Sequence, residues 1–197
     1  MSTSQRRILA DHAASRRAFL HRAGVVSAGL LAWASARPLL AAGKAKMISK
    51  SEESDIAILN VALGLEHQAI AAYQVGAESG LLQKPVLEVA LRFQADHKAH
   101  AGVLTETVRK LGGTPVEARQ MADYGFPVDK LRTQADVLAF AAGLEQGAAS
   151  AYLGAVPQFH NRDLAKAAAS ILGAETMHWA VLRNALGQDP VPAAFVS

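Results

Sequence analysis

The chain has 197 residues, rich in Ala and poor in aromatics, with no cysteine. This composition favours helices over sheets and excludes disulfides, thiolate ligands and cysteine nucleophiles. The net charge of +3 is unevenly placed: residues 1–46 hold eight Lys/Arg against the single acid Asp11, which leaves 12 bases and 16 acids beyond them, net −4. That remainder has no basic stripe to pair with a phosphate backbone, so no nucleic-acid partner is expected.

The first element is Ser15-Arg16-Arg17-Ala18-Phe19-Leu20, followed by the moderately apolar Ala23–Ala36 with Gly24, Gly29 and Trp33. It resembles a twin-arginine export signal. As a membrane anchor the apolar stretch is too short and is broken by Arg37-Pro38. The resemblance implies the twin-arginine export machinery as a partner, a periplasmic destination, and export of an already folded protein, often with a cofactor inserted. Cleavage after Ala36 or after Ala42 fits equally. The chain is therefore divided into a leader and linker over 1–46 and one domain over 47–197.

Four helical patterns follow, at 53–78, 85–111, 134–155 and 162–186, with Ser51 or Ser54 as the cap of the first. Gly80 and Pro85, Gly112-Gly113-Thr114-Pro115 through Gly125-Phe126-Pro127, Pro157 with Asn161, and Gly187 with Pro190 separate and end them. Two short links and one long middle connection predict an all-α four-helix bundle with one crossover. A helical turn near Val116–Asp123 would keep the crossover from being a structureless loop. The halves are also related: Gly64-Leu65-Glu66 with Tyr73 recurs as Gly143-Leu144-Glu145 with Tyr152, and His97-x-x-His100-x-x-Val103-Leu104 aligns with Glu175-x-x-His178-x-x-Val181-Leu182. Offsets of 79 and 78 indicate a duplicated helical hairpin.

The 3-4 spacing of buried positions puts Glu66, His97, His100, Glu145, Glu175 and His178 on the inward seams. A buried, unpaired carboxylate costs several kcal/mol, on the order of 3–5, and the seams hold no Lys or Arg. The compensating charge must then be a protonated His, a proton or a metal cation. Glu175 and His178, one turn apart, can ligate one ion from a single helix while a Glu of a neighbouring helix bridges. Two divalent ions, three carboxylates and three neutral imidazoles would leave one positive charge for a hydroxide or oxide to balance. Tyr73 and Tyr152 read as core filler, His67 as surface, Asp96 as a solvated neighbour of the seam, and Trp179 as packing against a neighbour or an oligomer interface.

Over 50–187 these residues resemble the ferritin-like di-iron and di-manganese carboxylate superfamily, and within it the exported desiccation-related group. Glu66 and Glu145 match the single Glu of helices 1 and 3, and Glu175 with His178 matches the Glu-x-x-His of helix 4. Helix 2 departs, with His97 in place of Glu, a change that shifts preference from iron or manganese toward zinc or copper. The resemblance implies two divalent ions and an oxidoreductase-like protein acting on dioxygen or peroxide, in oxidative stress. The alternatives are a non-catalytic metal-binding or storage bundle and a metal-free, stress-protective one. Storage calls for a cage-sized homo-oligomer, whereas after Gly187 only a short tail follows, with no fifth helical pattern.

Overall fold

The computed structural model describes residues 47–196, which form four long helices: α1 Lys50–Glu78, α2 Lys84–Lys110, α3 Gln134–Ala155 and α4 Arg162–Ala185. The twin-arginine pattern at Arg16-Arg17 and the rest of 1–46 lie outside the described residues.

Helix α1 starts three residues earlier than its pattern predicts, because Ser49 and not Ser51 or Ser54 is the cap. The Ser49 hydroxyl accepts the Glu52 backbone N–H while the Glu52 carboxylate accepts the Ser49 N–H. This reciprocal box, worth about 1 kcal/mol, satisfies two donors that the first turn otherwise leaves open. Thr133 and Asp136 repeat it at α3, and Asn161 caps α4. Gly112, at φ +90°, ends α2 in the left-handed region, and Gly113 N–H returns to Val108 O.

Contacts at the helix ends fix the topology. The buried Asp55 carboxylate, near the start of α1, accepts the N–H groups of His160 and Asn161 before α4, at 2.8 and 3.0 Å. At the other end of α1, Gly76 meets the Val137 side chain at the start of α3, and Gln83 N–H bonds the Gln134 side chain. Taking the Asp55 end as lower, α1 and α4 run upward and α2 and α3 downward. The chain must therefore climb the whole bundle between α2 and α3, which is why the connection is long. Asn60 clamps its beginning at both Thr114 O and Val116 N–H. Two short 3-10 turns, Met121–Tyr124 and Val128–Lys130, supply its local structure, in place of the single turn expected near Val116–Asp123.

Two apolar clusters fill the interior. The lower one gathers Leu59, Leu63, Leu104, Val108, Tyr152, Phe159, Leu164 and Ile171; the upper one gathers Tyr73, Phe93, Leu138, Ala142 and Leu182. Between them lies a polar layer. Helix α1 is long and apolar enough to cross a membrane, yet it carries Glu66 into this core, 2 % exposed.

Candidate metal centre

Each helix contributes to the polar layer, and the duplication sets the heights. Glu66 and Glu145 sit mid-helix on α1 and α3, which run antiparallel, so the tyrosine two turns beyond each Glu approaches the Glu of the other hairpin. The Tyr73 hydroxyl donates to Glu145 Oε1, and the Tyr152 hydroxyl donates to Glu66 Oε1 at 2.6 Å. The tyrosines are thus not mere filler. A buried phenol needs a hydrogen-bond partner, and the repeated seven-residue Glu-to-Tyr spacing is the sequence signal that marks them.

His97 of α2 lies at the centre. Its Nδ1 is 2.8 Å from Glu66 Oε2 and its Nε2 is 3.2 Å from Glu145 Oε1, so both ring nitrogens are engaged, by the Glu of either hairpin. His100 Nδ1 approaches Glu175 Oε1 at 3.1 Å and Glu66 Oε2 at 3.5 Å. His178 Nδ1 approaches Glu145 Oε1 at 3.5 Å and Glu175 Oε2 at 3.7 Å. Phe93 stacks on the His178 ring at 4.0 Å, and Asp96 Oδ2 lies 3.4 Å from His178 Nε2. Asp96 therefore reaches across to α4. It faces the His178 ring from outside, with Nδ1 turned inward toward Glu145 and Glu175, and is not merely a solvated neighbour. His67 contacts the crossover at Val116 O, and Trp179 packs on the upper cluster beneath the Arg183 guanidinium.

All six expected residues come together. Their donor atoms form two overlapping groups, Glu66–His97–His100–Glu175 and His97–Glu145–Glu175–His178, each with donors within 4.8 Å of one another. His97 and Glu175 belong to both. Five buried atoms in this layer have no aligned hydrogen-bond partner: His100 Nδ1, His178 Nδ1, Glu145 Oε2 and both oxygens of Glu175. Buried nitrogen and carboxylate atoms that converge without an aligned partner are costly unless a cation sits among them, whether a proton on an imidazole or a metal ion, and nitrogen plus carboxylate ligands suit a transition-metal ion. The residues fit such a group.

The side chains alone can also supply the balancing cation. Burial works to raise the Glu66 and Glu145 carboxyls, but their histidine neighbours outweigh it and hold both well below the usual range. For Glu175 burial prevails, helped by the carboxylates of Glu145 and Glu66, and its pKa is raised. Burial opposes charge on the imidazoles too. Glu145 and Glu66 nevertheless lift His97 to about 10, Glu175 and Glu66 lift His100 to about 9, and Glu145 and Glu175 lift His178 to about 9. Without a metal, protonated imidazoles are the counter-charges of this core.

A family model for the ferritin-like domain matches residues 54–188. Among solved structures, a conserved hypothetical protein, rv2844, from Mycobacterium tuberculosis is similar at a TM-score of 0.62 with 22 % identity, covering 74 % of this chain and 99 % of that one. A ferritin-like, diiron-carboxylate protein from Bacillus anthracis str. Ames is similar at 0.57 with 22 % identity, covering 70 % and 99 %. No curated protein matches the sequence. The bundle, its crossover and the family match over most of the folded region agree: this chain belongs to the ferritin-like domain family.

Proposed function

We propose that Glu66, His97, His100, Glu145, Glu175 and His178 hold two divalent metal ions, and that the protein is an exported, periplasmic ferritin-like redox protein acting on dioxygen or peroxide. The observation that carries this reading is the convergence of five orphaned buried donor atoms in one layer. The solved relative from Bacillus anthracis is described as a diiron-carboxylate protein, which supports iron, with manganese as the neighbouring choice. The extra imidazole of His97 raises the standing of zinc and copper. Residues 1–46 act in this reading as a twin-arginine leader, consistent with insertion of metal before export, and 47–197 as the functional domain.

Bound iron or manganese would supply the one-electron redox change that these side chains lack. The protein's own contribution is orientation and exclusion of water. Tyr73 and Tyr152 each fix one oxygen of a glutamate, and Asp96 fixes the ring of His178. Five of the six side chains are nearly sealed, while His100 is 17 % exposed. The edge at His100 is therefore where a small reactant reaches the layer.

A second reading, a metal-free stress-protective bundle, is favoured by one feature: His97 with both nitrogens on carboxylates already forms a compensated cluster. Elemental analysis of the protein from its native compartment, beside a Glu66→Ala, Glu145→Ala variant, separates the two. Two redox-active ions per chain, lost in the variant, support the dimetal reading. A protein without metal when so isolated sinks it and leaves the protective bundle.

A further inference from the structure

The duplication relates the two sides of the polar layer, and it is not carried through evenly. Under the offset of 78, Phe93 and Asp96 of α2 correspond to Ile171 and Ala174 of α4, and His178 corresponds to His100. His178 has both of its α2 neighbours: the Phe93 ring stacks on it at 4.0 Å, and Asp96 Oδ2 lies 3.4 Å from its Nε2. For His100 the repeat supplies only alkyl groups at the two matching positions. Among the described residues its ion pairs run through Nδ1 alone, to Glu175 and Glu66, so no carboxylate backs its Nε2.

The glutamates show no such difference. Tyr73 donates to Glu145 and Tyr152 to Glu66, and both carboxylates are buried. Each donor group has two side chains of its own, Glu145 with His178 or Glu66 with His100, and shares His97 and Glu175 with the other. The contrast between the two groups therefore comes down to one histidine against the other. A ligating imidazole whose second nitrogen meets a carboxylate is held in one tautomer and orientation and is the stronger donor, and loss of such a partner weakens metal binding about 10- to 100-fold. Solvent access works in the same direction, because His100 is 17 % exposed and His178 6 %.

We infer that the two ions of this layer are unequal: a resident ion on Glu145, His178, His97 and Glu175, and an exchangeable one on the Glu66–His100 side that enters and leaves through the His100 edge. The inference rests on the dimetal reading above and adds an order to it. The resident ion loads first and takes the shared His97 and Glu175. The second finds only Glu66 and His100 unshared, and it leaves first. Asp96 is the positioning residue that sets this order, acting through His178, and Ala174 marks where the other side lacks its equivalent. The protein thus keeps one ion while its second site follows the supply of free ion around it.

Zinc titrated into the metal-free full chain against a competing chromophoric chelator reads both steps. Two ions per chain are expected, with dissociation constants about 10- to 100-fold apart. His178→Ala should abolish the tighter step and His100→Ala the weaker one. Asp96→Ala should weaken the tight step until the two merge. Ala174→Asp should strengthen the weak step by a similar factor, a gain that no general loosening of the fold produces. Both of these positions are part-exposed and leave room for the change. Independently of any variant, zinc-loaded wild-type protein under excess chelator should lose one ion per chain quickly and the other slowly. Two ions of equal affinity, a single phase of loss, or an Asp96→Ala protein in which both steps shift alike overturns the inference and leaves the dimetal reading standing. So does a tight step that survives His178→Ala. Fewer than two zinc ions at saturation refutes the dimetal reading itself, and the inference falls with it.

Discussion

Loading the layer with metal should expel protons in a number that the geometry sets. His97, lifted to about 10, and His100 and His178, lifted to about 9, are all protonated at pH 7.5 when no metal is bound. An imidazole ligates only through a bare nitrogen lone pair, so occupying all six residues displaces about three protons per chain, and more where the raised Glu175 carboxyl also gives one up. Three ordinary imidazoles near 6.5 would together release only about 0.3 at that pH. The two cases differ tenfold, which calorimetry can resolve by titrating zinc into metal-free protein in two buffers of different ionisation enthalpy. Affinity should also climb steeply from pH 6.5 to 8.5. Release of fewer than about one proton per chain would show that the imidazoles are not the internal cations and would refute the electrostatic account of the core.

The same shifts set the stability of the metal-free protein. A raised imidazole stabilises fully below its unfolded value of 6.5 and loses that contribution as pH rises through about 9 to 10, whereas the depressed Glu66 and Glu145 contribute above 4.5 and lose it as pH falls. Tm should therefore be highest between about 4.5 and 6.5 and drop by several degrees toward pH 10; a flat profile by differential scanning calorimetry contradicts this. Tyr152→Phe removes a buried hydrogen bond to a charged oxygen and should cost about 2 kcal/mol, roughly 6 °C in Tm, with metal content unchanged. Loss under about 0.5 kcal/mol in urea unfolding would mean that the bond contributes little. Asp55→Ala strips two backbone N–H groups of their acceptor and should cost about 3 kcal/mol without touching metal uptake, so an altered metal stoichiometry in that variant would show the lower end and the polar layer to be coupled.

Much of this arrangement was legible in the chain because it follows from periodicity. The 3-4 spacing placed six polar residues on inward seams, and all six meet. The repeat offsets implied paired hairpins, and the long gap between the second and third patterns implied the crossover. What escaped was whatever depends on two helices at once. Tyr152 and Glu66 stand 86 residues apart, and Asp96 and His178 stand 82 apart; one-dimensional spacing cannot say that they touch. Asp55 looks like one more acid of a helix's first turns, and only the fold shows it holding the start of α4. Buried Gln94 escaped for the same reason: it ties α2 to Ile70 O and Gln74 of α1. The cap was misjudged by two to five residues, Ser51 or Ser54 being expected, because several serines and acids at 49–54 offer overlapping boxes, and Ser49 with Glu52 closes on both sides.

The crossed tyrosines bear on how the protein comes into being. Each hairpin holds a carboxylate whose hydroxyl partner lies on the other, so either one by itself keeps its histidine contacts but leaves one oxygen of its acid without that hydroxyl. Their union spans sequence separations of 72 and 86 residues, which makes it a slow, late event in folding. A half-synthesised chain therefore presents no finished cage of ligands. Two fragments severed in the crossover should be inert apart and become whole only on meeting.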